Sequence, residues 1–334
     1  MPNAEMQTKI ENQVENFAMI APTASAIEDL TQRAKAGDAD ADAATGVVAA
    51  IMRVAAVDPG ASMAVLDAIT RGWLGDEAKS IETPPAQLAM LKNLAEPGKL
   101  DGHFWIPFWD FINTPHSEER GGDEVTAMVA ALGGNLHENF SDRAEAAALA
   151  HPGTANAATR SAPPKLTLET LGALPVGSLG HAFYRLITDN NFNLEVLDRE
   201  AAGLRDMPPA QRYLNLRILQ MHDVWHLVGG FRTTVLQEVA ISSFSLAQFD
   251  HTYSAMLIGT ASVASLFNSM EGFGLSMQII AEGWLHGRTT PSFMAIEWEN
   301  EWHLPISEIR ARHGIKPFAS IFPADLIEQM RAAA

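Results

Sequence analysis

The stretch QRYLNLRILQMHDVWHLVGGFRTTVLQEV, Gln211 to Val239, decides the fold. Tyr213, Leu214, Leu216, Ile218, Leu219, Met221, Val224, Trp225, Leu227 and Val228 cover almost every face of a 3.6-residue period. A helix that is apolar nearly all round is a buried one. Asp206 and Pro208-Pro209 suit its entry, because proline is tolerated in the first turn, where the amide has no partner. Gly229-Gly230 ends it. Thr234, with Gln237 three residues on, reads as a capping box that starts a second helix. The pair is an αα-hairpin.

Inside the first of these helices, MHDVWH places His222, Asp223 and His226 where apolar residues are expected. At about 100° per residue they project within one arc. Two imidazoles one turn apart on one face grip a single ion, and an adjacent carboxylate supplies charge. Glu238 falls near the start of the second helix, facing the pair across the turn. The pattern is His-Asp-x-x-His, eleven residues, Glu. Buried ionisable groups cost several kcal/mol each unless paired or bound to metal, so a metal is expected on His222, Asp223, His226 and Glu238. Arg217 lies in the same helix on a different face, where a structural salt bridge is its expected role. Two other metal motifs compete. Zincin proteases use His-Glu-x-x-His, but the position of that general base holds Asp223 here. A metal phosphohydrolase of the HD type would centre on His222-Asp223 with His181 and Asp250, which leaves His226 and Glu238 without roles.

Outward from the hairpin, only Asp250 and Glu271 carry charge between Val239 and Ala281. Helices in that stretch either form the core or line an apolar cavity. The segment 1–150 is Ala-rich and acidic, with helical patterns at Ala41 to Ala56 and Ala61 to Leu74 and no β-branched alternation of the kind a strand shows. Its aromatic run HFWIPFWDF, His103 to Phe111, is expected to plug a core rather than to stand exposed. HPGTANAATRSAPPK, 151–165, reads as a linker, and 166–334 as the metal-binding domain. The expected fold is an all-α helical bundle.

Composition removes whole classes of function. The 334 residues contain no cysteine, which excludes disulfides, thiolate catalysis and cysteine-bound metal. Any metal is held by His, Asp or Glu. The net charge of −17, of which −11 lies up to Lys165 and −6 beyond it, excludes a basic nucleic-acid face. The amino terminus carries Glu5, Glu11 and Glu15 before any apolar run, unlike a secretory or transit peptide, so a cytoplasmic, bacterial location is expected. The uncharged run His251 to Met270 is too rich in Ser and Thr to span a bilayer.

The four-residue motif resembles the hallmark of the ubiquinone (coenzyme Q) biosynthesis Coq-four family. LPVGSLGHAFYRLITDNNF, Leu174 to Phe192, is similar to that family's entry into a helix. HDVWHLVGGFRTTVLQEVAISSFSLAQ, His222 to Gln248, is similar throughout, and WLHGR, Trp284 to Arg288, with WENEWHLPISEIRARHGI, Trp298 to Ile315, resembles its closing segment. The likeness runs from about Leu171 to Ile315. It implies an all-helical protein whose His222, Asp223, His226 and Glu238 bind zinc or another divalent ion such as Fe, Mn or Mg. It also implies a role in ubiquinone synthesis, as a metal-dependent component in oxidative decarboxylation of a polyprenylated hydroxybenzoate or as a non-catalytic, prenyl-lipid-binding organiser of the pathway's enzymes. The implied partners are a polyprenylated benzenoid lipid, the other biosynthetic proteins and the membrane surface, with a homodimer as a further expectation. Tyr184 enters on the resemblance alone. Glu299, between Trp298 and Trp302, is a candidate partner of a metal-bound imidazole. A chain this acidic is expected to meet the inner face of the cytoplasmic membrane through apolar contact rather than through attraction to anionic lipid.

Overall fold

Helices form where the sequence carries all-round apolar or alanine-rich runs, and they dominate the computed structural model, which describes residues 4–37, 41–114, 122–154, 156, 159–194 and 202–333. Among the described residues there is no strand, only an isolated antiparallel bridge between Ser178 and Pro305. The all-α expectation holds. The predicted patterns fold as helices Ala41–Ala56 and Ser62–Leu74. The aromatic run lies in helix Gly102–Asn113, where Phe104, Trp105, Phe108, Trp109 and Phe111 are all buried, while Ile106 stands exposed with the polar His103 and Asp110.

Two apolar cores organise the chain. One is built on Leu179, Phe183, Ile218, Met221, Trp225, Ile241, Phe244, Phe293 and Trp298, and it backs the hairpin. The other unites Val47, Val48, Ile51, Met52, Val65, Leu66 and Ile69 with Leu246, Ala255, Met256, Ile258, Met277, Ile280 and Trp284. Residues from both sides of 151–165 therefore share one core. The cause is shape: Ala41–Ala56 is buried on every face from Ala43 onward, so it needs cover from later helices, and Thr252–Asn268 supplies it. Polar ties reinforce the joint. Asp67, fully buried, accepts from Trp284 Nε1 at 2.8 Å and Arg288 Nε at 2.9 Å, and Trp73 Nε1 donates to Gln278 at 2.9 Å. The segment 151–165 lies partly outside the described residues; within it His151 and Thr154 are buried.

Helices Val235–Phe249 and Met270–Thr289 pack in unusually close contact. Glycine permits this: a Cβ at Gly287 would lie 2.7 Å from Ala247 Cβ and 2.8 Å from the Phe244 carbonyl oxygen. No described helix is long and apolar enough to cross a membrane.

Candidate metal centre

The hairpin forms as its punctuation predicts. The first helix spans Pro209–Gly229 and stops at Gly230, whose φ of 80° is the left-handed conformation that glycine tolerates; the Gly230 amide donates to the His226 carbonyl. The second spans Val235–Phe249. The capping box of the second helix is not the predicted one. Thr234 makes no side-chain cap, because its hydroxyl donates to the Ala324 carbonyl at 2.6 Å, and Glu328 Oε1 takes the Val235 amide at 3.0 Å instead. At the other entry, Pro208 offers no side-chain acceptor, and Glu145 accepts from the Ala210 and Gln211 amides at 3.0 and 2.9 Å.

Three of the four expected ligands converge. His222 Nε2 and His226 Nε2 are 3.0 Å apart, and Glu238 Oε1 and Oε2 lie 3.3 Å from His226 Nε2 and 3.4 Å from His222 Nε2. A tetrahedral ion bound at about 2.0–2.1 Å spaces its ligand atoms about 3.3 Å apart. The three donors thus outline one face of such a site, and the donor set suits zinc or a similar borderline ion. His226 is buried at 2%, whereas the side chains of His222 and Glu238 keep 34% and 42% of their surface, so the cluster opens on one side. Asp223 stands apart from this group of donors, half-buried, and acts through its charge on His222.

The electrostatics are those of carboxylate and imidazoles competing for protons in a partly dry place. Burial alone would raise the Glu238 carboxyl, but the His226 charge and hydrogen bonds from both imidazoles hold it well below the usual range. Burial alone would lower His222, yet the hydrogen bond and charge of Glu238, with Asp223 behind, raise it. His226 Nδ1 is buried without a hydrogen-bond partner.

The remaining candidates lie elsewhere. Arg217 binds Glu299 with both ends of its guanidinium, at 2.5 and 3.0 Å, and donates to Gln220 as well, so these two serve each other rather than the cluster. Tyr184 packs on Gly172 and lies 6.0 Å from the His181 ring. Neither His181 nor Asp250 joins the donor group among the described residues. Two neighbours escaped the sequence reading. Burial and the nearby His222 push His251 down to about 3, and Tyr253 is raised by burial and by Glu238, against a hydrogen bond with Thr126. The only signal was their place directly after the lone Asp250 in an uncharged run. Most of the stretch from Val239 to Ala281 is core, with Met256 and Met277 buried, whereas Met270 stands exposed. A cavity of about 360 Å³ opens against Ser292, Glu301 and His313, and a groove of about 680 Å³ against Trp105, Ile106 and Trp109.

Residues 128–319 match the family described as coenzyme Q (ubiquinone) biosynthesis protein Coq4. The match begins well before the expected limit at Leu171 and takes in Glu145 and the 151–165 segment. The chain is 27% identical over 164 residues to the mitochondrial ubiquinone biosynthesis protein COQ4 homolog of Rattus norvegicus, covering 46% of this chain and 56% of that one. It is 27% identical over 152 residues to the homolog of the same name from Danio rerio, covering 43% and 52%. The chain thus spans about half the length of the curated relatives it matches. A solved structure from Nostoc punctiforme, described as a ubiquinone biosynthesis protein, shares 26% identity over 63% of this chain and 96% of that one, with a TM-score of 0.46.

Proposed function

The chain belongs to the coenzyme Q (ubiquinone) biosynthesis protein Coq4 family, and from that premise we propose that it serves ubiquinone synthesis as a metal-dependent component acting on a polyprenylated hydroxybenzoate. The step proposed is oxidative decarboxylation at the ring carbon that bears the carboxylate. The observation that carries the reading is the meeting of His222 Nε2 and His226 Nε2, 3.0 Å apart, with the Glu238 carboxylate, which brings one oxygen within 3.4 Å of each, inside the family-matched segment and open on one side. A divalent ion there supplies Lewis-acid charge for a phenolate and a ring carboxylate. The chain's own part is to hold that charge in place. Glu238, kept anionic by the imidazoles, offsets it, and His226, buried against Phe231 at 6.4 Å, fixes the inner donor. Asp223 adds negative charge beside His222. The proposed step consumes an oxidant, dioxygen or a redox partner, because a chain without cysteine has no disulfide to accept the electrons.

Contact with the membrane surface and the other biosynthetic proteins is proposed through apolar side chains. Val235, Ile321 and Met330 stand exposed on elements that meet at the hairpin. A second reading, a non-catalytic scaffold with a structural ion, is favoured by the mostly buried side chains of Val239 to Ala281 beside an exposed Met270, which offer the prenyl tail a surface. One experiment separates the two. Wild type, His222→Ala and Glu238→Ala are introduced into a ubiquinone-deficient strain, and the accumulated intermediate is identified. The catalytic reading expects ubiquinone with the wild type and a ring-carboxylated intermediate with the variants. Equal rescue by folded, metal-free variants overturns it.

A further inference from the structure

The metal donors flank a turn that the hairpin does not hold by itself. A helix end leaves carbonyls or amides without intrahelical partners, and local side chains commonly satisfy them. Here the partners come from 310–328. Arg310 donates through Nε to the Val228 carbonyl at 2.9 Å and through a terminal nitrogen to the Leu227 carbonyl at 3.0 Å. The Phe318 amide donates to the Gly229 carbonyl at 2.7 Å. Glu328 takes the first amide of the second helix, that of Val235, while Thr234 is tied to the Ala324 carbonyl.

Apolar contacts close the same clasp. Pro317 sits so near Gly230 that a Cβ there would lie 2.6 Å from it. Phe318 stacks on Phe231 at 4.7 Å, and Phe231 meets the His226 ring edge-on. Leu227 directly follows His226, and Val235 begins the turn of helix that ends at Glu238. One segment therefore grips the chain immediately beside an imidazole donor and beside the carboxylate donor. A cation at a helix carboxyl end and an anion at an amino end also suit the helix dipoles.

We infer that the carboxy-terminal segment 310–328 is a clamp that sets the separation of Glu238 from the His222–His226 pair, so that Arg310 and Glu328 are positioning residues for metal affinity. The inference rests on the metal reading of the cluster. Its distal part, with Glu328, lies beyond the family match, which ends at 319.

The test uses the full chain, stripped with chelator and titrated with Co²⁺, with affinity read by calorimetry and coordination by the visible absorption band. Arg310→Met keeps the stem and removes the donors; Glu328→Ala removes the acceptor; Glu328→Gln retains one. Removing groups that orient ligands commonly weakens a metal site about 10–100-fold. Arg310→Met and Glu328→Ala are expected to lose about 10-fold or more in affinity and to alter the Co²⁺ band. Glu328→Gln is expected to stay within about 3-fold of wild type. Ile309→Val trims the core beneath Arg310 without touching the hairpin carbonyls, and is expected to lower thermal stability while leaving affinity unchanged. Should Arg310→Met fail to fold, the Glu328 pair on the terminal helix decides alone. Equal Co²⁺ affinity in wild type and Glu328→Ala, or an equal loss in Ile309→Val, overturns the clamp and leaves the metal reading standing. A wild type that takes no Co²⁺ overturns both.

Discussion

The fold contains two gatherings of charged side chains, and they are resolved in opposite ways. In the first half, the guanidinium of Arg53 is fully buried and spent on partners: Asp58 at 2.7 Å, the Val14 and Glu15 carbonyls at 2.7 and 2.9 Å, and the Ala95 carbonyl. Asp58 in turn accepts from the Ala95 amide and from Arg143. Nothing is left over. In the hairpin, three donors point at one another, Glu238 stays partly open, and His226 Nδ1 lacks a partner. A closed network holds elements together, whereas the hairpin's donors, hydrogen-bonded to one another yet leaving Glu238 open and His226 Nδ1 without a partner, suit the ion proposed above.

The largest effect expected concerns the ground on which both centres stand. A fragment beginning at residue 166 keeps the whole hairpin but strips the shared core from Leu246, Ile258, Met277 and Trp284. It is expected to be insoluble or to bind a hydrophobic dye without a cooperative thermal transition. A fragment with a sharp transition and intact metal uptake would make the hairpin's core self-sufficient and 151–165 a domain boundary.

Next in size is Asp58→Ala. It leaves Arg53 buried without its carboxylate, and breaking such a pair destabilises by about 3–5 kcal/mol. Urea unfolding measures this, and the protein that remains folded is expected to bind metal as tightly as wild type. The contrasting variant is Glu238→Gln. Because Glu238 is partly exposed, the metal-free protein is expected to change by less than about 1 kcal/mol, while Zn²⁺ affinity falls by about 100-fold or more. Binding must also displace the proton that Glu238 and Asp223 favour on His222, so affinity is expected to weaken as pH falls through that raised pKa. A large loss of stability in Glu238→Gln with unchanged Zn²⁺ binding would make the hairpin a second structural network and erase the contrast.

The helices and the triad were legible in the sequence because both are local. An all-round apolar period, a double glycine and an i, i+4 histidine pair act over a few residues. Asp223 stood in the motif, yet a neighbour in sequence is about 100° away round the helix whereas His226 returns to within about 40° of His222, and the donor atoms sort accordingly. What was hidden is long-range. No local rule puts the cap of Val235 on Glu328, 93 residues away, or that of Gln211 on Glu145, 66 residues away. Thr234 carried the right capping signature and spent its hydroxyl on Ala324 instead. Arg217 read as a cation in an apolar helix with a salt bridge expected, and the fold supplies the partner, Glu299, 82 residues away; Arg53 drew no reading, and only the fold shows that it meets Asp58.

Asp250 is a third kind of buried charge, neither networked nor convergent, and it gives the smallest signal. It ends helix Val235–Phe249 with a φ of 54° and is pushed up to about 7 by burial, against a single hydrogen bond with Ser62. Its carboxyl binds a proton in the folded chain at pH values where the unfolded chain, near 3.8, has lost it, so its contribution to stability falls as pH rises from about 4 to about 7. His151 and His286, both held down to about 4 by burial, and His251, held down to about 3, act oppositely: the unfolded chain binds their protons first, and stability rises as pH climbs to about 6.5. The wild type is therefore expected to show a flattened pH profile. Asn tolerates the left-handed backbone as Asp does, so Asp250→Asn removes the charge without straining the turn. Its urea midpoint is expected to match wild type near pH 4 and to exceed it progressively up to pH 7, which unmasks the histidine-driven rise. A variant profile parallel to wild type would mean that Asp250 stays ionised in the fold, and its neighbours would then have to include a cation that the present arrangement does not give it.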